Sequence, residues 1–254
     1  MINIEPIAAF NDNYIWLLTT NEGSIVIDPG ESKSLLKILK ENKLNLRAIL
    51  ITHHHFDHTG GIEEILSEKH IDVYGPKNNI NLINKRLVGG SKINLLGIEF
   101  EVIEIPGHTL DHIAYYSKNN GQPILFCGDT LFAGGCGRVF EGTFEQMYNS
   151  LSILKNLPSN TKIYCGHEYT ESNLKFANSV EPLNQDIISR YNETINLRKE
   201  GIPTLPSTIG MELQTNPFLR VDSKEVQEII QKKFNTPKND EEIFTALRQW
   251  KDNF

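Results

Sequence analysis

Hydrophobic residues follow two different rhythms along the chain. Through about residue 165 they gather in short β-rich runs bounded by turn residues, with a few helix-spaced segments between them. The predicted strands are 2–8, 14–19, 24–27, 48–51, 72–74, 113–117, 124–127 and 162–165, with a hairpin across 95–105. The predicted helices of this part are 32–41, 144–154 and one that Gly60-Gly61 opens and that runs to about Lys69.

After His167 only the helical spacing remains. The predicted helices there are 172–180, 186–199, one behind a capping box at Asp222–Glu225, and one from Asp240 onward. Mixed strands and helices followed by helices alone predict an α+β protein, with a layered domain over 1–171 and a helical domain over 172–254.

Composition excludes several classes of protein. The 254 residues carry a net charge of −7 without a long basic run, which disfavours a nucleic-acid partner. No apolar run approaches the length of a membrane span, and the first ten residues lack the pattern of a secretory signal. Cys127, Cys136 and Cys165 are too few for a disulfide framework and suit free thiols in a reducing compartment. We therefore expect a cytoplasmic protein that has no membrane partner.

Histidines are concentrated where a buried strand ends. Four of the eight fall within His53–His58, directly after the predicted strand 48–51. In an extended segment alternate residues point the same way, so His53, His55 and Asp57 should share one side, opposite His54. Glycines follow at once, which indicates a loop at the strand's end.

Three other predicted strands end in the same manner. Each is followed by a glycine and then by a residue of metal-ligand type: His108, Asp129 and His167. We expect these loops to converge with the His-rich loop.

The candidate ligands outnumber what one ion needs. They are His53, His55, Asp57, His58, His108, Asp129 and His167. Imidazole nitrogen with carboxylate oxygen suits zinc, iron or manganese, and two ions about 3.5–4 Å apart lower the pKa of a shared water. The competing interpretation, a solvated His-rich loop that binds metal by accident, does not account for the three other strand ends.

The segment from Thr52 to Gly61 resembles the HxHxDH signature of the metallo-β-lactamase superfamily. Further segments resemble the glyoxalase II (hydroxyacylglutathione hydrolase) family within it, from about residue 2 to the C-terminus. They begin at Gly107, Gly128, Ala133, Gly166, Thr215 and Arg248. The resemblance implies an αββα sandwich that forms the catalytic domain, followed by a helical domain that binds substrate.

The resemblance also implies the ligand sets. One metal would be held by His53, His55 and His108, and the other by Asp57, His58 and His167. Asp129 would bridge them, and Asp57 and Asp129 would be catalytic together with a hydroxide shared by both metals. The implied cofactors are two divalent metal ions, with zinc as the first choice and iron or manganese as alternatives. The implied reaction is hydrolysis of S-D-lactoylglutathione, or a related 2-hydroxyacyl glutathione thioester, to D-lactate and glutathione in methylglyoxal detoxification. We expect the protein to be a monomer.

The same resemblance assigns substrate binding to Arg138, Tyr169, Arg248 and Lys251. Glutathione has two carboxylates, which paired cations recognise well. The alternative for Arg248 and Lys251 is that they only complement the dipole of the last helix. Phe140 is a departure, because some family members have a tyrosine there that contacts glutathione.

The remaining residues of interest receive supporting roles. We expect His112 to support the metal site or the fold, His70 to lie on the surface, and His54 to buttress its loop. Asp28, at another strand end, is expected to hydrogen-bond a metal ligand.

Three other functions compete with the thioester hydrolase. A persulfide dioxygenase would use a single iron at a similar site. The helical tail with its Arg248 and Lys251 pair argues against this function. A superfamily nuclease would need a basic surface, and no sequence feature speaks positively for a non-catalytic scaffold.

Overall fold

The computed structural model describes residues 2–118, 121–235 and 239–254. The strands are β1 Asn3–Ala9, β2 Asn13–Thr20, β3 Gly23–Ile27, β4 Leu46–Leu50, β5 Asp72–Pro76, β6 Lys85–Leu87, β7 Lys92–Leu95, β8 Ile98–Glu104, β9 Ile113–Ser117, β10 Ile124–Gly128, β11 Leu131–Phe132, β12 Gly135–Cys136, β13 Lys162–Cys165 and β14 Ser207–Thr208. The helices are α1 Lys33–Glu41, α2 Phe56–Thr59, α3 Ile62–Glu68, α4 Phe144–Lys155, α5 Thr170–Val180, α6 Gln185–Lys199, α7 Ile209–Thr215, α8 Lys224–Phe234 and α9 Asp240–Asp252. The predicted α+β class is confirmed.

The described residues fall into two compact units. The first runs to Glu104 and also includes Asp111–Gly128, and the second consists of Ile105–Leu110 and Asp129–Phe254. The predicted domains, 1–171 and 172–254, divide the chain by a different criterion and stay a prediction. Among the described residues, no helix is long and apolar enough to cross a membrane.

A six-stranded sheet in the order β1 to β6 carries the core of the first unit. β1 and β2 pair antiparallel, as do β2 and β3, whereas β3 to β6 run parallel to one another. Parallel neighbours need crossovers, and α1 and α3 supply them with buried faces that include Leu35 and Ile65. The carboxyl ends of β3 and β4 therefore lie side by side, where ligand sites of parallel sheets usually form.

The first unit also contains an antiparallel run of strands, β7 to β10, each paired with the next along the chain. Every residue of β9 and β10 is buried. β10 ends at Gly128, so the residue that follows this buried strand is Asp129.

In the second unit, helices pack around an aromatic core. Phe176 stacks on Phe218 at 5.9 Å between ring centroids, and Phe218 meets Phe244 edge-on at 5.8 Å. The helix α4 begins with a capping box of Thr143 and Gln146. Strands β13 and β14 pair antiparallel, and β11 and β12 form a small hairpin.

Two local predictions were wrong. The cap of α8 is Ser223, whose hydroxyl accepts from the Val226 amide, and Asp222 precedes it. The extended course predicted for the His-rich loop ends at His55, because α2 begins at Phe56.

Candidate metal centre

Two histidines in the first part of the His-rich loop lie close together. His53 is fully buried, and its Nε2 lies 3.2 Å from Nδ1 of His55. The predicted sharing of one side by these two residues is thus confirmed. Asp57 and His58 instead project from the single turn of α2.

Asp28 fixes the orientation of His58. The Asp28 carboxylate lies 3.1 Å from His58 Nδ1 and accepts hydrogen bonds from the Thr52 amide (2.8 Å) and hydroxyl (2.7 Å). A carboxylate at Nδ1 favours the proton on that nitrogen and leaves the lone pair on Nε2. His58 Nε2 lies 3.6 Å from Asp57 Oδ2, so both offer ligand atoms to one place. Asp28 therefore lies against a metal-ligand candidate, and the hydrogen bond that the sequence predicted for it stays a prediction.

Asp57 is held from a second strand. Its Oδ2 accepts a hydrogen bond of 2.9 Å from the side-chain amide of Asn13, at the start of β2. This bond restricts the rotation of the carboxylate.

Within the second unit, Asp129 lies between two imidazoles. Its Oδ2 is 3.5 Å from His108 Nε2 and 3.1 Å from His167 Nε2. His108 Nδ1 is 2.7 Å from the Arg138 carbonyl, to which it donates, and Nε2 faces the carboxylate. A carboxylate that lies between two imidazoles has the position expected of a ligand shared by two metal ions.

Glycines allow the close approach of this chain to itself. Gly107, just before His108, has φ +153°, and a Cβ there would lie 2.8 Å from Met147 Cα. A Cβ on Gly137 would lie 1.9 Å from the Asp129 carbonyl oxygen. Side chains at either position would displace the ligand beside them.

The donor set fits divalent metal ions. Within the first unit, one ligand atom each of His53 and His55, of His53 and His58, and of Asp57 and His58 lie within 4.8 Å of one another. Buried nitrogen and carboxylate oxygen suit zinc, iron and manganese.

The thiols belong to a different environment. Cys127, Cys136 and Cys165 are free and buried. Burial raises the pKa of Cys165 and that of Cys136, so both stay protonated at neutral pH. Protonated, enclosed thiols are poor nucleophiles, in agreement with the packing role predicted for them.

Two of the predicted substrate-binding cations, Arg248 and Arg138, differ in the exposure of their side chains. Arg248 is buried, and its guanidinium donates to the Cys136 carbonyl (2.8 Å) and to Asp252 Oδ1 (3.1 and 3.0 Å). Arg138 is about half exposed, with Nε 3.4 Å from Asp252 Oδ1.

Lys251 is a desolvated cation. Its ammonium donates to the Ser172 carbonyl at 3.3 Å and lies 5.2 Å from the Phe176 ring centroid. Burial, assisted by the neighbouring Arg248 charge, lowers the pKa of Lys251 to about 8. An anionic ligand would relieve this cost.

Two aromatic side chains touch predicted ligands. The Tyr169 ring stacks on His167 at 4.7 Å with an interplanar angle of 5°. Phe140 is 61% exposed and meets the His108 ring edge-on at 5.2 Å. Both rings therefore lie beside metal-ligand candidates.

Four supporting contacts were not specified by the sequence. Thr52 and Asn13 orient Asp28 and Asp57, and Thr52 directly precedes the histidine triplet. His112 is buried and stacks on His53 at 4.5 Å. His54 pairs with Asp111 at 2.9 Å, and this contact gives the predicted buttress its partner.

Known proteins share both parts of this architecture. Residues 9–167 match the family model described as metallo-beta-lactamase superfamily, and residues 168–254 match the one described as hydroxyacylglutathione hydrolase C-terminus. The crystal structure of ETHE1 from Myxococcus xanthus aligns with a TM-score of 0.65 at 21% identity, over 99% of this chain and 98% of that one. The di-iron-bound form of TTHA1623 aligns with a TM-score of 0.60 at 26% identity, over 84% of this chain and 99% of its own.

The chain thus has the metallo-β-lactamase fold, an α+β sandwich with a C-terminal helical region. The hydroxyacylglutathione hydrolase of Shewanella pealeana is 48% identical over 267 residues, and that of Hahella chejuensis is 47% identical over 257, each covering all of both chains. The chain belongs to the hydroxyacylglutathione hydrolase family. The fold and its histidine and aspartate clusters together indicate a dinuclear metal site.

Proposed function

We propose that this protein hydrolyses 2-hydroxyacyl glutathione thioesters, with S-D-lactoylglutathione giving D-lactate and free glutathione. The observation that carries the proposal is the Asp129 carboxylate between His108 and His167, in a chain of this family. In the proposed ligand sets, His53, His55 and His108 hold one ion, Asp57, His58 and His167 hold the other, and Asp129 serves both. When bound, such a pair of ions lowers the pKa of a shared water and polarises the thioester carbonyl.

The protein's own residues prepare the site before substrate arrives. The Asp28 contact and the Arg138 carbonyl direct Nε2 of His58 and His108 toward the ligand positions. Asn13 limits the rotation of the Asp57 carboxylate. The leaving thiolate has a conjugate acid with a pKa near ~8.5, so no strong general acid is required.

For substrate recognition we propose three direct contacts and one indirect one. Arg138, Tyr169 and Lys251 contact the glutathione part, because each has a face or a charge that other side chains do not enclose entirely. Arg248 acts through the chain instead: its guanidinium is already engaged by Cys136 and Asp252. Phe140 offers an apolar surface where a tyrosine hydroxyl would have donated a hydrogen bond.

Zinc is the proposed metal. The di-iron form of the TTHA1623 structure supports a pair of ions on this fold. Nitrogen-rich sites with carboxylates bind zinc more tightly than iron or manganese at equal availability. Elemental analysis of purified protein identifies the ion.

We also propose that the protein works in the cytoplasm as a monomer. The three free, buried thiols support a reducing compartment. Light scattering on an eluting sample tests the monomer, and a mass of twice 28.9 kDa would contradict it.

The function is tested by thiol release. Purified protein is mixed with S-D-lactoylglutathione, and free thiol is measured with a colorimetric reagent against a chelator-treated sample. We expect release that the chelator abolishes and zinc restores. Absence of turnover in a sample with full metal content would contradict the proposed substrate.

A further inference from the structure

A fully buried ion pair lies among the C-terminal helices, away from the predicted ligands in sequence. Glu212 of α7 has no exposed surface, and its Oε1 accepts from Arg190 Nη2 of α6 at 2.7 Å. The Ser207 hydroxyl donates to the same oxygen, and Arg190 also donates to Ser207 and Thr215. Burial of a charge pair is costly unless every polar atom is satisfied, and here the pair is well satisfied.

The second carboxylate oxygen of Glu212 binds the β11–β12 hairpin. Oε2 accepts from the backbone amide of Gly134 at 2.7 Å, at the hairpin's turn. It also accepts from the Asn216 side chain (3.0 Å), which donates in addition to the carbonyls of Phe132 (3.2 Å) and Gly135 (2.9 Å). One charged group thus orders the whole turn.

The two ends of this hairpin lead to site residues. Before it stands Asp129, and after it stands Arg138. The ends are closed on each other by a hydrogen bond from the Gly137 amide to the Thr130 carbonyl, 3.1 Å long. The Arg138 carbonyl in turn accepts from His108. Displacement of the turn would therefore reach Asp129 and His108 through a short, stiff segment.

We infer that Glu212 is a positioning residue, which sets the place of Asp129 and His108 by anchoring the β11–β12 hairpin; the inference rests on the proposed function of those two residues as metal ligands. The charge is essential to this role. A glutamine would turn a donor group toward either the Gly134 amide or Arg190, and one of these contacts would be lost.

The helical region supplies a matched control. Glu181 is also buried, and it pairs with Arg220 at 3.0 Å to Nε and 2.8 Å to Nη2. Its carboxylate also accepts from the Asn184 side chain at 3.5 Å, and neither Asn184 nor Arg220 belongs to the hairpin. Glu181→Gln therefore removes a buried charge from an arginine without disturbing the turn.

The experiment compares Glu212→Gln, Glu181→Gln and the parent. Urea unfolding reports stability, equilibrium dialysis reports zinc affinity, and steady-state kinetics with S-D-lactoylglutathione report kcat and KM. We expect both variants to lose stability. Only Glu212→Gln should also lose zinc affinity and kcat, each by about tenfold, the scale of changes in groups that orient metal ligands. Equal zinc affinity and kcat in the two variants would overturn the inference.

A milder variant decides the matter if Glu212→Gln does not fold. Asn173 of α5 donates to the Ala133 carbonyl at 3.1 Å, so Asn173→Ala loosens the same turn from another side. Zinc affinity below that of Glu181→Gln would support the inference, and affinity equal to it would overturn it. Zinc affinity needs no substrate, so failure of the parent to cleave the thioester would count against the proposed function alone.

Discussion

Substitution of Asp28 by asparagine should weaken metal binding without disturbing the backbone. Asp28 has φ +52°, a left-handed conformation that asparagine also tolerates. The change keeps the size of the side chain and removes its negative charge. His58 Nδ1, 3.1 Å from Oδ2, then loses a charge-assisted partner.

The magnitude follows from that lost contact. We assign this imidazole–carboxylate contact the value of a hydrogen bond to a charged group, about 1.5–3 kcal/mol, which corresponds to a roughly 10- to 150-fold loss in affinity for the ion that His58 binds. Asp28 is 4% exposed, so water replaces the contact poorly. The variant should therefore bind the other ion, which His58 does not contact, more tightly than the ion that His58 binds.

The assay is zinc titration of metal-free Asp28→Asn, with Asp111→Asn as the control. Asp111 also pairs with an imidazole, that of His54, which is outside the proposed ligand sets. We expect one weakened zinc site in Asp28→Asn and parent-like binding in Asp111→Asn. Parent-like zinc binding by Asp28→Asn would refute the role assigned to this carboxylate.

Three further outcomes are expected. Lys251→Met, which keeps the apolar stem, should raise KM about tenfold or more with a much smaller change in kcat, and an unchanged KM would end the carboxylate contact. Because burial lowers the pKa of Lys251 to about 8, its charge is lost as pH rises through that value, so KM should increase there in the parent and stay flat in Lys251→Met. Asp129→Ala should lose more bound metal than His53→Ala, because its carboxylate lies between two imidazoles, and equal metal content in Asp129→Ala and the parent would contradict a shared ligand.

The sequence predicted those features that depend on neighbouring residues. Alternating and continuous apolar runs located β9 and β13 to the residue, and Gly107 and Gly128 marked turns that do have positive φ. Short elements such as α2 and α7 escaped prediction because helices of four and seven residues leave little periodicity.

Contacts between distant residues were the harder part. The sequence presents Arg248 as a free cation three positions before Lys251. One of its partners, Asp252, is four positions away, but the other, the Cys136 carbonyl, lies 112 positions away, and no local pattern reveals it. The anchoring of Gly134 by Glu212, 78 positions apart, is hidden for the same reason.

The central claim is that two metal ions bound by one chain support thioester hydrolysis. The most direct test adds zinc stepwise to metal-free protein and follows thiol release from S-D-lactoylglutathione. The account predicts that the rate rises to a plateau at about two equivalents of zinc per chain. A plateau at about one equivalent, or full activity in metal-free protein, would contradict it.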